Sequence, residues 1–180
     1  MEIDLNPYVD EAGELITLLT GEFWPFHGIT ILTEDSVREQ ISQGRYHSDE
    51  EKKTFWIMNE VGAKIGIIRV FELEDPTPMF DIRISTQHRG CGYGNHAIRK
   101  LAEYVFNNYD HVIRLEGHTR ADNYAMRTTF HHAGFVKEAV HRKSWPSEDG
   151  KLHDSIGYAI LREDWMENKT TPIDWEDFPY

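Results

Sequence analysis

Hydrophobic and polar residues along this chain alternate between two periods, two and about three and a half. From Thr54 to Phe71 two apolar runs, TFWIM and AKIGIIRVF, flank Asn59-Glu60-Val61-Gly62, a composition that joins antiparallel strands in a hairpin. Asp75-Pro76-Thr77-Pro78 makes the next loop. In Met79 to Ser85, Phe80, Ile82 and Ile84 alternate with Asp81, Arg83 and Ser85, which is a strand with one face in a core. Ile98, Leu101, Ala102 and Val105 then recur at i, i+3, i+4 and i+7, so an amphipathic helix follows. From His111 to Thr119 the alternation returns, with Ile113 and Leu115 on one face and Arg114, Glu116 and His118 on the other. A helix between two strands makes them parallel, joined by a right-handed crossover. A second helix runs from Asp122-Asn123 as cap through Met126, Thr129, Phe130 and Ala133 to a stop at Gly134. Phe135 to Trp145 and Leu152 to Leu161 read as a closing hairpin. The pattern describes one α/β (α+β) domain over residues 1–180, with a mixed, mostly antiparallel sheet.

The two ends are less regular. A short helix is expected around Glu11 to Leu19, followed by the aromatic stretch Gly21-Glu22-Phe23-Trp24-Pro25-Phe26-His27, where proline ends any helix. Thr33 caps a further helix through Val37 and Ile41 to Gly44, with Glu34 and Asp35 in its first turn. The tail from Arg162 is acidic and carries Trp165, Trp175, Phe178 and Tyr180. It is open between a disordered segment and a latch on this subunit or on a neighbour.

The chemistry concentrates between the central strand and its helix, in Ile84 to Asn108. Arg89-Gly90-Cys91-Gly92-Tyr93-Gly94 offers three glycines that permit positive φ and close approach of another molecule. Free N–H groups at a helix start, with the positive end of the helix dipole behind them, attract phosphate, and Arg89 adds a positive charge. The stretch lacks GxxxxGK[ST], which argues against a P-loop nucleotide site. Gly92-Tyr93-Gly94-Asn95-His96-Ala97 satisfies GxGxxG/A, with Glu116 near the position of a ribose-binding acid. A dinucleotide-binding protein is therefore a rival, opposed by the single helix that follows before the strands turn antiparallel.

Residues Met79 to Phe135 resemble the GNAT superfamily of acetyl-CoA-dependent N-acetyltransferases. The family motif [Q/R]-x-x-G-x-[G/A] stands here as Arg89, Gly92 and Gly94, and the segment from Asn123 to Gly134-Phe135 is similar to the family's N-x-x-A helix closing on GF, with Met126 in place of the alanine. The closing run FVKEAVHRKSW and DGKLHDSIGYAILREDW is similar to the branch that includes ribosomal-protein N-terminal acetyltransferases. The resemblance implies a GNAT-like domain with the parallel strands splayed around the cofactor and helices on both faces. In it residues 1–50 border the acceptor, 79–135 bind acetyl-CoA and 162–180 form the tail. It also implies that amides from Gly90 through Cys91, Gly92, Tyr93 and Gly94 to Asn95 hold the pyrophosphate. Ile84, Ser85 and Thr86 would pair with the pantetheine arm, beside Asn123. Many family members place a tyrosine four residues before the GF glycine as acid for the leaving thiol, and here that position is Phe130. A non-catalytic acetyl-CoA-binding module is the second reading this departure raises.

The implied reaction is attack of a neutral amine on a thioester. A lysine-like amine costs about 4 to 5 kcal/mol to neutralise at pH 7 and an α-amine about 1 to 1.5, so a base or water relay is useful. Glu116 and His118, on one strand face, and Asp81 on the facing strand are the candidates, each also explicable as a structural ion pair or buried histidine. The formal charge of −12, from 31 acidic and 19 basic residues, argues against nucleic acid and favours an amine-bearing cationic small molecule or basic peptide, or a protein N-terminus. One cysteine, the lack of an apolar run near the ~20 residues of a membrane span and the lack of a leader point to a cytoplasmic protein without a membrane partner. A homodimer is left open. No metal is expected, since ten histidines include no HExxH and the lone cysteine makes no CxxC.

Overall fold

A computed structural model describes residues 2–175. Seven strands among these residues form one sheet: β1 (Asp4–Pro7), β2 (Lys52–Met58), β3 (Lys64–Phe71), β4 (Met79–Ile84), β5 (Arg114–Arg120), β6 (Val136–Pro146) and β7 (Leu152–Leu161). The helices are α1 (Ala12–Thr20), α2 (Glu34–Ser42), α3 (Tyr93–Asn108), α4 (Tyr124–His132) and α5 (Arg162–Glu167). The strand order is β1-β2-β3-β4-β5-β7-β6, antiparallel throughout except for β4 beside β5.

Helices cover both faces, so the inner strands bury residues of both parities. Phe55, Ile57, Ile68 and Val70 join the core that Ile98, Leu101 and Val105 of α3 close. Trp56 and Ile67 point the other way, into a second core with Leu15, Leu19, Trp24 and Val37. The same arrangement alters the reading of β4. Phe80 enters the first core, as its alternation implies, yet Arg83 on the other parity is also buried, under the segment between α1 and α2. Thr33 and Ser36 close a reciprocal capping box at the start of α2, as the residue types lead one to expect.

Three parts differ from the pattern. β1, four residues with Pro7 at its end, adds an outer strand to β2, where a missing N–H is tolerated. The strand expected from His111 begins at Arg114, and Val112 is buried while Ile113 stands 57% exposed. Both Ile113 and Arg114 donate to the Pro76 carbonyl, which holds this segment as a turn. The start of the tail folds back as α5, with Trp165 against Phe106 and Arg162 donating to the carbonyls of Phe106, Tyr109 and Val112. Phe178 and Tyr180 lie outside the described residues.

β4 and β5 share a single ladder register, Met79 with Glu116. Just beyond it Gly117 faces a stack of rings: an added Cβ would lie 2.6 Å from Phe130 Cζ and 2.9 Å from Phe80 Cε1. Glu11 ties the end of β1 to α1 and β3, its Oε2 accepting from the Val9 and Asp10 amides and its Oε1 lying 3.4 Å from Lys64 Nζ. Chiefly through the Val9 hydrogen bond, its carboxyl is lowered from 4.5 to about 2.

Gly117→Ala should destabilise the fold by about 1 to 3 kcal/mol through overpacking, read as a lower urea midpoint. Because the Glu11 value is depressed in the folded state, its contribution is present above about pH 4.5 and lost as pH falls towards 2. Glu11→Gln should therefore lower Tm at pH 7, with the two melting temperatures converging across that window.

Candidate active site at the parting of the parallel strands

The backbone of β4 decides what the gap between β4 and β5 presents. The Ser85 amide donates to Ile65 O at 2.9 Å, so residues of its parity turn their main chain to β3. By alternation Ile82 and Ile84 turn theirs to the gap. A 3-10 turn over Thr86–His88 follows, in which the Arg89 amide returns to Thr86 O at 3.2 Å. The chain then crosses Gly90 and Gly92 with φ of 73° and 88°, backbone that a side chain would strain. α3 starts at once. The Asn95 and His96 amides close onto Gly92 O, while no described residue accepts from the N–H groups of Gly90, Cys91, Gly92, Tyr93 or Gly94. Five free donors thus converge on the positive end of a sixteen-residue helix with no acid in its first turn.

Gly90, Gly92 and Gly94 of this loop line a cavity of about 570 Å³. Its walls are the loop, Ile82 to Ile84 of β4, the start of α4 from Asn123 to Met126, and the arm from Trp24 to His27. Asn123 is fixed twice, accepting from the Met126 amide and donating to Thr119 Oγ1 at 3.0 Å. The arm is tied across the strand ends. Arg89 Nη2 donates to Phe23 O and Arg120 Nη1 to Pro25 O, both at 3.1 Å, and Trp24 Nε1 to Leu19 O at 2.9 Å. The Thr86 amide donates to Glu22 Oε2 at 2.9 Å. The aromatic stretch is thus a wall of the cavity. Arg89 also donates from Nε to Ile84 O at 2.7 Å and lies over Trp24, so its charge is anchored beside the loop. Within this frame the Ser85 and Thr86 amides are committed to the chain itself, which leaves Ile84 as the main-chain neighbour of the gap.

The acid–base candidates fall in two places. Asp81 Oδ1 lies 3.4 Å from His27 Nε2, and its Oδ2 lies 3.8 Å from Arg83 Nε. Burial pushes the Asp81 carboxyl up, but the His27 hydrogen bond and the Arg83 charge outweigh it and hold the group well below the usual carboxylate range. Glu116 and His118 sit together on β5, Glu116 3.0 Å from Arg114 and 3.7 Å from His118, and His118 stacks on His141. They are outside the cavity wall, whereas His27 is part of it and leaves its Nδ1 without a partner. His27 was not legible from the sequence, because nothing local ties a histidine after Pro25-Phe26 to a strand 54 positions on.

The remaining expected residues divide by exposure. Cys91 is exposed at the loop, and Tyr93 turns its hydroxyl to Glu60. Phe130 is 1% exposed and stacks on Tyr158 with ring centroids 4.6 Å apart. It belongs to the core beneath the gap, whereas Tyr124 stands 71% exposed on the cavity wall.

A family model described as the acetyltransferase (GNAT) domain matches residues 5–136. The chain belongs to the GNAT acetyltransferase family. It is an acetyl-CoA-dependent N-acetyltransferase. No curated protein matches it. Among solved structures, a chimera of spermidine N-acetyltransferase from Vibrio cholerae and hSSAT shares 18% identity, with TM-score 0.78, over 92% of this chain and 99% of its own. The Vibrio cholerae enzyme in complex with CoA and spermine shares 17%, with TM-score 0.75, over 91% and 98%. A dodecameric form of that enzyme shares 16%, with TM-score 0.74, over 92% and 97%. At these identities the likeness is one of fold.

For this acetyltransferase, Gly92→Val places a β-branched residue at φ 88° and crowds the free amides. CoA affinity should fall more than tenfold by calorimetry, with the far-ultraviolet circular dichroism spectrum retained. Undiminished affinity would contradict the role given to the loop.

Proposed function

We propose that the protein transfers the acetyl group of acetyl-CoA to a primary amine of a small molecule or peptide terminus by direct attack on the thioester. One observation carries this reading: of five residues with unpaired amides at the start of α3, Gly90, Gly92 and Gly94 line a cavity that also borders Ile82 to Ile84 of β4. In the proposed complex the amides of Gly90 to Gly94, with Asn95 on the rim, take the diphosphate. The pantetheine arm lies along the unpaired N–H of Ile84, whose carbonyl Arg89 already holds, in the manner of an added strand, with Asn123 on its other side. Acetyl-CoA supplies the thioester, and the protein supplies orientation and a place for the proton.

The amine lone pair attacks the carbonyl carbon, the oxygen gathers charge near the main chain of Ile82 to Ile84, and the C–S bond then breaks. The amine proton passes to His27 Nδ1, with Asp81 fixing the ring through Nε2. Glu116 and His118 lie outside the cavity wall and take no part in this path. A thiol of pKa about 8.5 leaves readily, with the Tyr124 hydroxyl at the cavity wall as a proton source. This suits a site in which Phe130 replaces the family's tyrosine. The ribosomal-protein branch suggests a peptide terminus as acceptor, and the relatives' names suggest a small amine.

Release of CoA thiol over a panel of amines, read beside thermal stabilisation by acetyl-CoA, tests this reading. Stabilisation with turnover of at least one primary amine is expected, and the absence of both would overturn it. His27→Gln should lower kcat at pH 7 by about 100-fold or more with little change in KM for acetyl-CoA. The deficit should shrink as rising pH deprotonates the free amine. A deficit independent of pH would remove His27 from the proton path.

A further inference from the structure

We infer that the acceptor amine carries a nearby carboxylate and that Arg83 binds it. The inference rests on the acetyltransferase reading of the same cavity and names the class of its second substrate.

Arg83 lies on β4 next to Ile84, opposite Ile67 of β3, and lines the cavity. It is 9% exposed, with its guanidinium carbon 5.1 Å from the centroid of the buried Trp24 ring. Its Nη1 is sealed from solvent with no hydrogen-bond partner. Asp81 is its one carboxylate neighbour within ion-pair distance among the described residues, at 3.8 Å from Nε. Asp81 cannot serve it alone, because the same carboxylate holds His27 and faces Arg69 across the β3–β4 ladder. Arg69 is itself 7% exposed, with Nε unpartnered. Two buried guanidiniums therefore lie near one carboxylate, with Arg83 alone of the two within ion-pair distance of it, and a buried cation without hydrogen bonds carries a large desolvation cost. A second carboxylate, brought by the substrate, offsets that cost.

The cavity wall agrees. The chain has 31 acidic residues, yet neither Asp nor Glu lines this cavity. A polyamine, the substrate in the names of the structural relatives, would place a cation against Arg83. An amino carboxylate meets the opposite sign at Arg83. The same positive surroundings disfavour the ammonium form and so favour the neutral nucleophile. Trp24, Phe26, Ile82 and Met126 supply an apolar remainder, which suits an amino acid with an apolar side chain.

The test compares leucine, leucinamide, isoamylamine and spermidine as acceptors for the wild-type protein and for Arg83→Met, a change that keeps an unbranched apolar stem against Trp24. Leucine should be acetylated with kcat/KM at least tenfold above leucinamide, isoamylamine and spermidine. In Arg83→Met the leucine value should fall, through KM, at least tenfold further than the isoamylamine value. Calorimetric titration of N-acetylleucine into the CoA-loaded protein reads the same contact without turnover. The wild-type protein should bind it at least tenfold more tightly than N-acetylleucinamide, and Arg83→Met should erase that difference. No preference for the carboxylate in turnover or binding, a preference for spermidine, or an Arg83→Met loss that falls equally on every acceptor or on CoA affinity would overturn the inference. Selective binding of N-acetylleucine without acetylation of any amine would sustain it and count against the catalytic reading instead.

Discussion

The structure depends on the separation of two parallel strands. β4 and β5 meet at Met79 and Glu116 and then part, and the packing below them makes the parting stable. Phe130 lies against Phe80, Phe135 and Tyr158, with Gly117 admitting the ring edge where a side chain would collide. Aromatic packing of this kind is stiff and dense, so the main chain above it is left without its usual neighbour. An unpaired strand edge inside a protein calls for another partner. Here Arg89 takes the Ile84 carbonyl, and the Ile84 amide is left beside a cavity that an extended pantetheine chain would fill.

Charge distribution then follows a division of labour. The protein as a whole is strongly acidic, which repels an anionic cofactor at long range. Attraction has to be local, and it comes from backbone donors and a helix dipole rather than from a field of lysines. The arginines near the gap are mostly tied to carbonyls and aromatic faces of the arm: Arg89 to Phe23 and Ile84, and Arg120 to Pro25. They join the arm to the sheet and so shape the acceptor side, while the loop amides stay free.

Much of this was legible from residue order, for a physical reason. Periods, caps and glycine positions are local, so the hairpin at Asn59, the start of α2 at Thr33, α3, α4 and the turn at Gly92 all follow from neighbours within a few positions. Features made by distant segments were not legible. Alternation marks Asp81 and Arg83 as polar positions on β4, but it does not distinguish a solvated face from one roofed by Trp24 and His27, more than fifty positions earlier. The same holds for α5, whose docking depends on Arg162 reaching three carbonyls at the end of α3 and beyond. Ile113 and Val112 exchanged places because the Pro76 carbonyl captures two successive amides, a contact without a signature in the spacing.

The central claim, that free main-chain donors at the start of α3 receive the diphosphate, is tested most directly by amide NMR on the isotope-labelled protein titrated with CoA. The account predicts that the N–H signals of Gly90, Cys91, Gly92, Tyr93 and Gly94 shift downfield together, as donors to an anion do, while that of Ser85, bonded to Ile65, moves little. Shifts confined to other regions, with these five signals unmoved at saturation, would contradict it.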